Sequence, residues 1–176
     1  MSTELRVGER SGAVANRILA RRALDELFSR GETDVVDELF TPDAVLHLAR
    51  WGTSVRGQRA LRRHIDRQHE IFSDCSIGVD ATVTDGDELV AHCTVRGRHT
   101  GDLPIPGRGV YPATGRRFRV PTVFRFRFEK GRIAEVWRFE DALGVAEQLG
   151  LDDRSPRAML RRVAAKIRDG FLKSGD

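Results

Sequence analysis

The sequence predicts an α+β domain in which helices at the amino end pack on an antiparallel sheet, with an apolar pocket between the two layers. Three observations carry this expectation. Apolar residues recur at helical spacing as far as Phe72, they alternate with period two beyond Ser76, and Asp85-Gly-Asp87 and Glu129-Lys-Gly131 separate long alternating runs as hairpin loops do. With 176 residues, 40% of them hydrophobic, the chain is long enough for one domain with a core and too short for two.

Residues 1–12 are polar, contain Gly8 and Gly12, and are expected to form a disordered tail. A helix is predicted over 14–29 from the stripe Ile18, Leu19, Ala23, Leu24, Leu27 and Phe28, with Gly31 placed to stop it. Thr33 or Asp34 can cap a shorter helix carrying Val35, Val36, Leu39 and Phe40, ended by Thr41-Pro42. Residues 44–48 read as a strand, Arg56-Gly57 as a turn, and 58–72 as a third helix with Leu61, Ile65 and Phe72 inward. Strands are predicted over 76–84 and 88–99. In the second, Leu89, Ala91, Cys93, Val95, Gly97 and His99 share one face. Phe118, Val120, Thr122, Phe124, Phe126 and Phe128 form another apolar face, whose reverse carries Arg117, Arg119, Arg125 and Arg127. Residues 13–150 make up the domain. Residues 151–176 form a helical extension, with Met159, Val163, Ile167 and Phe171 as its docking stripe over 157–172.

The most informative stretch is Gly131-Arg-Ile-Ala-Glu-Val-Trp-Arg-Phe-Glu-Asp141. If 133–141 form a regular strand, Ile133, Glu135, Trp137, Phe139 and Asp141 share one face, and Asp141 sits among aromatic rings. Desolvation there raises a carboxylate's pKa toward the range useful for acid and base work. The competing reading makes Asp141 the N-cap of a segment over 142–149. His99 either polarises a substrate carbonyl or is a satisfied core histidine. Trp137 and Phe139 line the pocket or only pack, and Glu135 either meets substrate or pairs with a neighbouring arginine. His47 and Trp51 alternate toward the cavity opening.

The ordered set His99-Thr-Gly101, Ala113-Thr-Gly-Arg-Arg117, Phe124-Arg-Phe-Arg-Phe128, Gly131-Arg-Ile, Glu135-x-Trp137, Asp141 and Gln148-Leu-Gly150 resembles the SnoaL-like polyketide cyclases. Thr41-Pro-Asp-Ala-Val45 and Arg56-Gly57 upstream fit the same pattern. The resemblance implies the cone-shaped fold of the nuclear transport factor 2-like superfamily, a homodimer, and an aspartate at the position of Asp141 as acid/base. It further implies aldol-type cyclisation of a polyketide intermediate with no cofactor. Isomerisation, epoxide opening, hydroxylation, dehydration and a non-catalytic binding module remain as alternatives. The chain departs from the pattern in the Gly- and Pro-rich run over 102–112, and in His92 and Cys93 where an arginine and an aromatic are expected.

Other chemistries find little support. Net charge is +4, but basic and acidic residues interleave and no nucleic-acid module appears. Cys75 and Cys93 are too few for a disulfide framework, and His64 and His69, five apart, lack ligand spacing, so no metal is expected. Pro106-Gly-Arg-Gly lacks the strand-to-helix context of a phosphate loop. The amino-terminal residues lack a signal peptide's apolar core, and no run of about 18 apolar residues suits a membrane span. A cytoplasmic protein acting on a small hydrophobic substrate is the expectation.

Overall fold

The apolar stripe at the amino end becomes one continuous helical arm. In the computed structural model of the chain, which describes residues 2–49, 52–105 and 109–151 with side chains from residue 12 onward, α1 (Ser2–Arg22) runs directly into a π-helical segment, Ala23–Ser29. The backbone is therefore helical from Ser2, where a disordered tail is expected. Extending a nucleated helix costs less than starting one, which offsets Gly8 and Gly12. Ala23, Leu24, Leu27 and Phe28 are buried. Ser29 fastens this end to the sheet: its hydroxyl donates to the Leu24 carbonyl at 2.8 Å and accepts from the Ile77 amide at 3.1 Å. A tight turn over Thr33–Val35 leads into α2 (Val36–Leu39), and β1 (Phe40–Leu48) begins at once, so Thr41 and Pro42 lie in a strand. Then come β2 (Thr53–Arg56), which the sequence reading missed, and α3 (Gln58–Ile71).

The remaining strands are β3 (Phe72–Asp85), β4 (Glu88–His99), a small hairpin of β5 (Leu103–Ile105) and β6 (Gly109–Tyr111), β7 (Arg117–Glu129) and β8 (Arg132–Glu140), followed by α4 (Ala142–Leu149). The main sheet has the order β2-β1-β8-β7-β4-β3. Its pairs are antiparallel except β1 with β8, which run parallel. The expected, mostly antiparallel sheet is thus present, with this one parallel pair making it mixed. A parallel pair needs a long connection, and here β1 and β8 are joined through all the strands between them. The expected helix over 157–172 lies outside the described residues.

Alternation holds on β4 and β7. The inner faces read from the sequence are buried throughout, from Leu89 to His99 and from Phe118 to Phe128. Phe124, Phe126 and Phe128 stack with centroids 6.2 Å apart, and Phe28 meets Phe124 at 5.5 Å. Each such ring removed from water contributes about 1.5–3 kcal/mol. Gly97 leaves room for this packing, since a Cβ there would stand 2.8 Å from the Phe118 ring.

On β8 alternation breaks. Phe128 pairs with Ile133 and Arg127 with Glu135, leaving Ala134 as an extra residue on β8. A bulge of this kind reverses the facing of every residue beyond it. Ile133 points inward, and so do Val136, Arg138 and Glu140, while Glu135, Trp137 and Phe139 turn to the outer face. Register agrees: Leu48 and Phe124 flank Arg138, while His47 and Arg125 flank Trp137.

Candidate active site

A cavity of about 340 Å³ lies between α3, the π-helical segment and the inner face of the sheet. Phe28, Ile65, Phe72, Val95 and Phe118 supply apolar wall, and His64, Gln68, Arg138 and Glu140 supply its polar side. Helical spacing explains the α3 contribution. Leu61 and Ile65 are buried against the core, and His64 and Gln68 flank the same stripe one step round. The Ala134 bulge explains the β8 contribution.

The polar side has defined electrostatics. Arg138 Nη2 donates to Glu140 Oε2 at 2.6 Å, with the two side chains only 18% and 12% exposed. The Arg138 guanidinium carbon lies 5.9 Å from the centre of the Phe124 ring, and its Nε is buried without a partner. Burial, reinforced by the charge of Arg138 and opposed by Glu140, holds His64 down at about 4, so its imidazole is neutral near pH 7. Burial pushes the Cys75 thiol, also on the wall, upward.

Asp141 is not part of this group. The strand ends at Glu140, and Asp141 is exposed at φ −72° and ψ 88°, accepting a 2.9 Å hydrogen bond from the Gly144 amide as the N-cap of α4. The expectation that it shares a buried aromatic face fails because of the bulge and because the chain leaves the strand before it. His99 is fully buried behind the wall. Its Nδ1 accepts from the Thr114 amide at 3.3 Å and lies 3.2 Å from the Thr114 hydroxyl, which ties down the segment after β4. Its pKa is lowered by burial. Its Nε2 is buried with no hydrogen-bond partner among the described residues, and the ring does not line the cavity.

The expected substrate-binding residues on β8 and β1 lie on the outer face. His47 stacks on Trp137 at 4.8 Å and 10°, with Arg125 4.5 Å from the Trp137 ring centre. Glu135 pairs with Arg127 at 2.5 Å and with His47 Nε2 at 3.0 Å, the structural pairing set against catalysis in the sequence reading. Phe139 is 46% exposed on the same face. Trp51 lies outside the described residues. What the sequence reading missed is His64, Gln68, Arg138 and Glu140. The α3 pair was legible from its spacing to Leu61 and Ile65, and the adjacent apolar pair Ile133-Ala134 was the available sign of a bulge. Among the described residues no three His, Cys, Asp or Glu side chains converge as metal ligands, and no helix is long and apolar enough to cross a membrane.

A mixed sheet wrapped on helices, with an apolar cavity holding a few polar groups, defines the ketosteroid isomerase-like class of folds. A protein of that fold from Catenulispora acidiphila DSM 44928, in complex with trimethylamine, superposes with a TM-score of 0.62 at 14% identity, over 75% of this chain and 92% of the other. The family model described as SnoaL-like polyketide cyclase matches residues 18–149, and the chain belongs to that family. TsrD from Streptomyces laurentii is 31% identical, with a TM-score of 0.65 over 78% of this chain and 96% of its own. IdmH from Streptomyces antibioticus, a candidate polyketide cyclase, is 28% identical, with a TM-score of 0.63 over 77% and 98%. No curated protein matches the sequence.

Proposed function

We propose that the chain catalyses intramolecular aldol-type ring closure of a polyketide-type ketone inside this cavity, with His64 as the proton-transferring group. Family membership supports polyketide cyclase-type chemistry in general. One observation carries the finer reading: an imidazole, held neutral by burial, and a guanidinium line the same apolar cavity. His64 takes a proton from a carbon next to a carbonyl, and the C–H electrons move into the enolate. The enolate carbon attacks a second carbonyl of the same molecule, and the new alkoxide takes the proton back from the imidazolium. Nothing is gained or lost overall. A base whose conjugate acid has a pKa near 4 suffices where the enolate is well stabilised, as carboxylate bases in ketosteroid isomerase illustrate. The positive charge of Arg138, which helps keep His64 unprotonated, also favours the enolate over the ketone. The apolar walls fold the chain into attack geometry.

The test is product analysis with a linear tri-β-ketone ester. Ring closure gives a product of unchanged mass, or one lighter by a single water after dehydration, whereas isomerisation gives no new ring. His64→Gln lowers the rate by about 10²–10⁴ with the fold intact. An undiminished rate in that variant removes His64 from the mechanism.

A further inference from the structure

Arg138 rises into the cavity between Leu48 of β1 and Phe124 of β7, its partners in register. A guanidinium carries five N–H donors in one plane, and it is most stable with acceptors along its edges. The bond from Nη2 to Glu140 is the hydrogen bond this side chain makes among the described residues, and Nε is buried with none. Nε is closed to water and ligand alike, so the donors left for a ligand oxygen are those of the two terminal nitrogens, of which Nη2 alone is bonded to Glu140.

Building on the ketone chemistry assigned to this cavity, we propose that Arg138 selects substrates with a 1,3-dicarbonyl unit and holds both oxygens of its enolate along one edge of the guanidinium. The two oxygens of such an enolate are coplanar and share one negative charge, the pattern a guanidinium edge matches in bidentate fashion; a simple ketone offers one oxygen. A carboxylate has the same oxygen pattern, but the cavity disfavours it. Glu140 already balances Arg138, so the resting polar corner is neutral. A permanently charged carboxylate must shed its water to enter beside Glu140. A 1,3-dicarbonyl enters neutral and gains charge only when the proton on the carbon between its carbonyls passes to His64, the electron pair spreading over the O–C–C–C–O unit.

The test compares three probes of similar size by calorimetric titration: 1-phenylbutane-1,3-dione, 1-phenylbutan-1-one and 4-phenylbutanoate. The enolate absorbance of the dione is followed in parallel. The native protein binds the dione about tenfold or more tightly than the monoketone and increases its enolate band. Arg138→Met/Glu140→Gln removes the charged pair together, so no carboxylate is left buried alone. It brings the affinities for the two ketones to within about twofold of one another. Arg138→Lys keeps the charge without the planar edge and loses most of the preference. Equal binding of dione and monoketone by the native protein overturns the inference, as does a preference that survives in the double variant, or 4-phenylbutanoate as the tightest ligand. Failure of the native protein to bind either ketone also overturns the reading of the cavity beneath it, which separates the two outcomes.

Discussion

The carboxylate of Asp141 and the amide of Gly144 are joined by a 2.9 Å hydrogen bond that opens α4, and a Cβ at Gly144 would stand 2.3 Å from that carboxylate. Asparagine caps a helix about as well as aspartate. Asp141→Asn is therefore expected to leave melting temperature and turnover close to native. Asp141→Ala is expected to cost about 1 kcal/mol of stability through the lost cap, with turnover per folded molecule unchanged. Denaturant unfolding and initial rates on both variants check this.

Folding also depends on pH through His64. The group titrates at about 4 in the folded chain against 6.5 unperturbed. The unfolded state therefore binds the extra proton between these values. The contribution of neutral His64 is complete above pH 6.5 and is lost as pH falls toward 4, at most about 3 kcal/mol. His99, also held down by burial, acts in the same direction. Unfolding free energies measured from pH 7 to pH 4 should fall more steeply for the native protein than for His64→Gln. Parallel curves count against a neutral, half-buried His64.

His99 should matter for folding and not for chemistry. Its ring is buried against Phe72 at 5.7 Å and holds Thr114. His99→Ala is expected to destabilise by about 2–4 kcal/mol, combining a cavity with the unpaired Thr114 amide. Turnover per folded molecule should stay within about threefold of native. A large drop in rate with native stability would return His99 to the site.

The outer face of the sheet combines exposed Phe139, Val90 and Val83 with ion pairs that are closed within the chain, Arg125 with Glu88 and Arg127 with Glu135. Apolar surface whose charges are already paired suits a second copy related by a twofold axis. Light scattering is expected to give about twice 19.8 kDa, and Phe139→Asp to shift the mass toward the single chain. A native mass of one chain at micromolar concentration contradicts this.

Legibility in the sequence followed regularity. β4 and β7 keep strict alternation, so their buried faces from Leu89 to His99 and from Phe118 to Phe128 could be read directly. The stripe of α3 was equally plain at Leu61 and Ile65, yet the same spacing brings in His64, weighed there only as a metal ligand, and Gln68, which was not singled out. β8 misled because a single extra residue, Ala134, exchanges the faces of everything after it. The reading then put Trp137 in the cavity and Arg138 outside, the reverse of the structure. The parallel pairing of β1 with β8 depends on residues far apart in the chain, and no local pattern announces it.

The central claim is that the cavity group around His64, and not Asp141, moves the proton. The most direct measurement is exchange of the proton between the two carbonyls of 1-phenylbutane-1,3-dione for deuterium in heavy water, followed by rapid-quench mass spectrometry at pH 7 with native protein, His64→Gln and Asp141→Asn. The account predicts exchange at least about 100-fold above buffer with the native protein and with Asp141→Asn, and near the buffer rate with His64→Gln. Exchange that persists in His64→Gln and disappears in Asp141→Asn contradicts it.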